Sequence, residues 1–200
     1  MEKKHNSNFI DIDNRIIDAL IDIAQKKSFA DISVIEVCKK ANINRTTFYK
    51  HYHGVWDVVE KIKNNVRKVV NIVGSEYDYR EFTKHPDAIL FSNIEFHEKN
   101  KERLRKIANI KELAPFLSDI VHEVIVLTER NETIPEEFKN TLFAKVGLTF
   151  FMSGLFYVFG EWIKGYIDCP LSEAMKIVYL YARTLDSANE EMKTSKQNNF

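Results

Sequence analysis

The sequence predicts an all-α protein. Two observations carry that prediction: apolar residues recur at spacings of three and four along most of the chain, and its 200 residues include only six glycines and four prolines. Such a length suits one domain, or a small head fused to a larger body. A composition of 44% hydrophobic and 29% charged residues is that of a globular chain and excludes disordered or collagen-like classes.

Residues 1–10 read as a flexible polar tail. A first helix is expected from Asp11 or Asp13, where Ile12, Ile16, Leu20 and Ile23 form a stripe and Asp18, Asp22 and Lys26 take the other side. Asp13 suits its N-cap, with Ile12 and Ile17 as a hydrophobic staple, and the helix is expected to end near Lys27 and Ser28. After a connector at Phe29, Ser33 with Glu36 three positions later is a capping box, and it opens a second helix with Val34, Val37, Cys38 and Ala41 on its apolar face. Asn42 tolerates the left-handed conformation that ends a helix, and Asn44 is a good N-cap for a third, from Arg45 to about Tyr52. His53-Gly54 breaks it, a long fourth helix runs from Val55 to about Val73, and Gly74-Ser75 marks a boundary.

Beyond the boundary, Pro86 suits the first turn of a helix carrying Ile89, Leu90, Ile94 and His97. Asn100 and Asn109 bracket the charged segment KERLRKIA, and Leu113 to Thr128 has helical spacing. Pro135 opens the longest helix, expected to end around Tyr166, and Met175, Val178, Tyr179, Ala182 and Leu185 stripe the last one. The implied organisation is a head over 11–54, a connecting helix over 55–74, a helical body over 75–188, and a second flexible tail over 189–200.

Several function classes fall away. The apolar run Val146 to Gly160 reaches about 15 residues, short of the roughly 20 that span a bilayer, and MEKKHNSNFIDID lacks the apolar core of a secretory signal. Cys38 and Cys169, with 130 residues between them, make no zinc knuckle or disulfide framework, so a cytoplasmic location is expected. No phosphate-binding glycine loop, nucleophile elbow, His-Glu-x-x-His or Cys-x-x-Cys occurs, so no enzyme activity and no cofactor are expected. His97 beside Glu95 and Glu98, and Asp119 with His122, are the metal-like pairs, but the sequence lacks the pair of Glu-x-x-His units that a di-iron bundle needs, and no metal site is expected.

The element that carries chemistry is the stretch from Ser33 to Tyr52, a helix, a tight turn and a second short helix in about 20 positions, the dimensions of a DNA-binding helix-turn-helix. Lys and Arg total 29, as do Asp and Glu, so no global field draws a polyanion. Between Ser33 and Val70, however, eight basic residues face three acidic ones, a local charge of +5 balanced by −5 elsewhere.

The run Ala41-Asn42-Ile43-Asn44-Arg45-Thr46-Thr47-Phe48-Tyr49-Lys50-His51-Tyr52, preceded by IIDALIDIAQKKSF, resembles the amino-terminal domain of the TetR family of bacterial transcriptional regulators over about residues 11–62. The family's threonine, hydrophobic and tyrosine cluster falls on Thr47, Phe48 and Tyr49, and its following histidine and aromatic on His51 and Tyr52. The resemblance implies a homodimer that grips a palindromic operator with two heads, usually as a repressor, and a carboxy-terminal domain that dimerises and often takes a small-molecule effector. Asn42 stands where the family commonly has glycine. Val55 and Trp56 stand where it usually has a basic phosphate clamp, which leaves the free N–H groups at the start of the fourth helix to meet a phosphate.

Physical reading assigns matching roles. Phe48 and Tyr52, four apart, pack inward with Val34, Val37 and Ile43. Arg45 suits guanine O6 and N7, Thr46 or Thr47 a thymine methyl or a phosphate, and Tyr49 and Lys50 phosphates. His51 is either a phosphate contact or a partly buried hydrogen-bonded ring. Ser33 and Asn44, opening the two helices, and Tyr52 at the exit complete the DNA-side candidates. In the body, Gly147, Phe151, Gly154, Trp162, Val178 and Ala182 are the expected dimer interface, and Phe91, His97, Phe116, His122, Phe150 and Tyr157 the expected effector pocket. Two other classes fit the same chain, a helical adaptor whose head binds protein and a helical enzyme with dispersed catalytic residues.

Overall fold

In the computed structural model the described backbone covers residues 2–75, 94–130, 132–133 and 142–181, and every regular element within it is helical. Helix α1 spans Glu2–Ala24. The expected tail is thus helical from Glu2 onward. Residues 2–10 contain neither Gly nor Pro, so a helix nucleated by the apolar stripe propagates backward at one hydrogen bond per residue. Phe9 also gains a partner there, stacking on His51 with ring centroids 3.9 Å apart. Asp13 lies inside α1 and caps nothing, which removes the expected staple between Ile12 and Ile17. Ile16, Ile17, Leu20, Ile21 and Ala24 are buried, and α1 ends at Ala24, three residues before the expected stop.

A 3-10 turn at Phe29–Asp31, capped by the Ser28 side chain, leads to α2 (Val34–Ala41), α3 (Arg45–Tyr49) and α4 (Val55–Ser75). Helix α3 stops three residues early because its last carbonyls are already used: Thr47 O accepts from Lys50 N–H, and Phe48 O accepts from both His51 and Tyr52. Val37 and Phe48 join the α1 stripe in one core with Val58, Val59 and Ile62 of α4, and Val34 and Ile43 pack against its edge.

The next described helices are α5 (Ile94–Lys99), α6 (Lys101–Ala108) and α7 (Ala114–Glu129), with a 3-10 turn at Lys111–Leu113 between the last two. Helix α8 runs over Leu142–Lys164 and α9 over residues 171–181. The predicted starts at Pro86 and Pro135 lie outside the described residues, as do Leu185 and the tail over 189–200. The chain divides into two compact units, one of Met1–Asn71 with Glu102–Ile120, the other of Ile72–Lys101 with Val121–Phe200.

That division differs from a head ending at 54 and a body beginning at 75, because Glu102–Ile120 belongs with the first unit. The cause is a set of contacts far apart in sequence. Lys106 pairs with Asp22 at 2.7 Å and Arg103 with Asp18 at 2.8 Å, while Gln25 donates to Lys106 O. The Glu112 carboxylate accepts from Ser28 Oγ–H and from Phe29 N–H, closing the open end of the 3-10 turn. Ile107, Ile110 and Leu113 complete the apolar side of this attachment. Hydrogen bonds from Lys106, above all, and Lys40 hold the Asp22 carboxyl below its ordinary value despite partial burial.

In the second unit Glu98 accepts from Leu171 N–H at 3.0 Å, capping α9, and Trp162 N–H donates to Cys169 O at 2.9 Å. Helix α8 ends at Lys164, two residues before the expected end near Tyr166. Lys145–Lys164 is the one stretch among the described residues long and apolar enough to cross a membrane by length and composition. A helix apolar on several faces is equally the mark of one that packs against protein.

Candidate nucleic-acid interface

Three local devices shape the segment from Ser33 to Tyr52. At its entry the capping box forms on both sides: Ser33 Oγ accepts from Glu36 N–H at 3.3 Å, and Glu36 Oε2 accepts from Ser33 N–H at 3.0 Å. Lys27 pairs with the other Glu36 oxygen. That hydrogen bond, followed by those from Ser33, pulls the Glu36 carboxyl down to about 2.

At the turn, Asn42 adopts φ 53° and ψ 53°, the left-handed conformation. Its N–H reaches Lys39 O, and Ile43 N–H reaches Cys38 O at 3.0 Å, the paired bonds of a Schellman motif. The following carbonyls, Ala41 O and Asn42 O, accept from one Arg15 nitrogen at 2.6 and 2.8 Å. Asn44 then caps α3, its Oδ1 accepting from Thr47 N–H at 2.7 Å.

At the exit, Tyr52 is buried and its hydroxyl donates to the Asp13 carboxylate. Burial first, and Asp13 second, raise the tyrosine above its ordinary range, so it remains a donor. His51 lies under Phe9 with a side chain 3% exposed and Nδ1 3.7 Å from Asp13 Oδ1; Lys61 Nζ is 4.0 Å from the other Asp13 oxygen.

These positions sort the candidates. Asn44, Arg45, Thr46, Tyr49 and Lys50 are exposed and Thr47 is half-buried. The Arg45 guanidinium lies 5.9 Å from the Tyr49 ring centroid. Ser33 is exposed, but its hydroxyl is engaged with Glu36. Tyr52 and His51 leave the DNA-facing set, the first because four-residue spacing from Phe48 puts it in the core, the second because α1 extends over it. Of the open alternatives, His51 is the covered ring, but its Nδ1 has no hydrogen-bond partner among the described residues. The α4 amino terminus is less open to a phosphate than its free amides suggest, since Asp57 in its first turn accepts from His53 N–H at 2.8 Å.

The charge asymmetry follows the compact unit. Met1–Asn71 with Glu102–Ile120 holds seventeen basic and twelve acidic residues, a net +5, and the other unit carries −5. Many of these cations are engaged internally: Lys40 pairs with Asp22, Lys63 pairs with Glu60, and Lys63 and Arg67 both lie over the Phe116 ring.

The described ones among the expected effector residues are divided between the two units. Phe116 is a buried residue of the first unit, Phe91 lies outside the described residues, and the others are in the second unit, where His122, Phe150 and Tyr157 are exposed. His97 packs edge-on against Phe159 at 4.9 Å, and burial lowers its imidazole below the ordinary value. Trp162, expected at a dimer interface, is buried within its own unit between Phe159 and the Lys101 ammonium. Ala182 lies outside the described residues. Gly147 and Gly154 are exposed with no atom within 4 Å of where a side chain would begin, while Phe151 and Val178 are half-buried.

Sequence reasoning missed Phe9, Asp13 and Arg15 as partners of this segment; their local pattern shows only an amphipathic helix. No family model matches the chain, and no curated protein matches it.

Proposed function

We propose that the chain is a sequence-specific DNA-binding regulator that works as a homodimer on a palindromic duplex, with the TetR-like repressors as its nearest class, and that it acts by binding and not by catalysis. The observation that supports this best is the doubly capped turn between α2 and α3. It leaves Arg45, Thr46, Tyr49 and Lys50 together on the exposed side of a short helix anchored by Phe48. Arg45 near the helix start reads guanine through its forked donors, whereas Lys50 past the helix end meets phosphate.

One five-residue helix reads few base pairs, which is why such heads are used in pairs about 34–36 Å apart. The pairing face we assign is on α8. Leu142, Val146, Phe150 and Tyr157, spaced by four, four and seven, are exposed, with Gly154 beside them offering close approach. Ile177, Leu180 and Tyr181 on α9 are also exposed.

The test is filter binding to a random duplex at two salt concentrations, followed by selection from a random pool. A phosphate-tracking head loses affinity steeply as salt rises. Arg45→Ala relaxes preference at one position of the selected site, whereas Lys50→Ala weakens all duplexes alike. Equal losses for both on every sequence reject the two roles, and salt-insensitive or absent binding rejects the function in favour of an adaptor.

A further inference from the structure

We infer that α1 is a splint for the recognition helix, with Arg15 fixing its entry and Asp13 and Phe9 its exit. Resting on the DNA-binding reading above, the inference makes these positioning residues determinants of base discrimination that touch no DNA.

Helix α3 has five residues, too few to hold helical form or direction alone, and Phe48 is its one fully buried side chain. Its bearing must therefore be imposed at its ends. Arg15 ties the turn before it through the Ala41 and Asn42 carbonyls. After it, the Tyr52 hydroxyl is tied to Asp13 and the His51 ring lies flat on Phe9, the planes 19° apart. Phe9 to Arg15 spans roughly 9 Å of α1, and five residues of α3 roughly 7.5 Å, so one straight rod reaches both ends of the other. Phe9 and Asp13, four apart, share a face of α1, and Ile12 and Ile16 pack into the core beside them. The arrangement matters for specificity because a bidentate contact to guanine tolerates little rotation of the helix that carries it, whereas phosphate contacts adjust.

The full-length chain decides this with Asp13→Ala, Asp13→Asn, Tyr52→Phe and the Asp13→Ala/Tyr52→Phe pair. Two quantities are read: the affinity ratio between the pool-selected duplex and a scrambled one, and hydrogen exchange of the amides over 44–52 against those over 58–62. Asp13→Ala and Tyr52→Phe each lower the ratio about tenfold, the size of one hydrogen bond to a charged group. The pair loses no more than either alone, Asp13→Asn keeps an acceptor and recovers most of the loss, and exchange quickens over 44–52 only. If Asp13→Ala does not fold, Tyr52→Phe, which removes one oxygen atom, carries the test. An unchanged ratio, or equal losses on both duplexes, overturns the inference. Should the unmodified chain bind no duplex, the DNA-binding reading fails separately and exchange alone judges the splint: faster exchange confined to 44–52 sustains it, and unaltered exchange overturns it.

Discussion

The two units of this chain distribute apolar surface differently. In the first, the stripe of α1 is covered by α2, α3, α4 and the segment around Ile107–Leu113; the large apolar side chains left outside, Phe9, Ile10, Ile35, Tyr49 and Trp56, are scattered over four helices, and the unit carries a net +5. In the second, the longest helix leaves a row of large apolar side chains in water. The first unit buries its principal apolar stripe within itself. The second keeps a row of apolar side chains on one helix exposed, and Gly147 and Gly154 on that helix have open space before them.

The same substitution in each unit tests this contrast. Phe48 is 0% exposed and Phe150 is 71% exposed. Phe48→Ala removes the anchor of α3 and is expected to destabilise the first unit by about 3–5 kcal/mol. Phe150→Ala is expected to change monomer stability by less than about 0.5 kcal/mol while weakening self-association. Thermal unfolding of both variants at low concentration measures the difference. Comparable losses would mean that the α8 row is covered within the chain itself.

Next in size is Gly154→Arg, which places a long charged side chain on the exposed α8 face where nothing within the chain opposes it. The expected outcome is a monomer with unaltered helix content. Sedimentation reads it directly, and an unchanged mass refutes the pairing face.

How much of this was legible depends on the range of the interactions. Ser33 with Glu36, Asn42 and Asn44 act within three residues, so the path from α2 to α3 was readable, and so was the inward packing of Phe48. The start of α1 was not: Asn6, Ser7 and Asn8 are good N-caps, yet the helix runs through them from Glu2, and Phe9 acquires a partner 42 positions away. Nor was the reach of the first unit, because KERLRKIA looks like any charged helix until Lys106 and Arg103 are seen on Asp22 and Asp18. The expected pocket residues are a related case. Aromatic spacing shows that a face is apolar without showing what covers it, and Phe116 turned to Lys63 and Arg67. Tyr52 was assigned to both faces, and four-residue spacing from Phe48 was the better guide.

A smaller effect probes the turn alone. Asn42 is the one non-glycine residue with positive φ among the described residues. Asn42→Ala is expected to cost about 1–2 kcal/mol, the penalty of a Cβ in left-handed backbone, whereas Asn42→Gly is expected to be nearly neutral, its easier φ offset by a more flexible unfolded chain. Chemical denaturation separates the two. If they are equal, the Arg15 clamp and not the local conformation sets the turn.

The smallest effect expected is an acid one, confined to the first unit. The Glu36 carboxyl is held down to about 2 from an ordinary 4.5, chiefly by Lys27 and then by Ser33. A depressed carboxylate contributes its stability fully above the unfolded value and loses it as pH falls toward the folded one, so the contribution fades between about pH 4.5 and 2. The group is exposed and screened by salt, which keeps the contribution small. Glu36→Gln is therefore expected to flatten the melting temperature over that window at low salt and to leave it unchanged near pH 7 apart from a constant offset. Parallel curves for variant and parent would mean that Lys27 and the capping box exert no net hold on the start of α2.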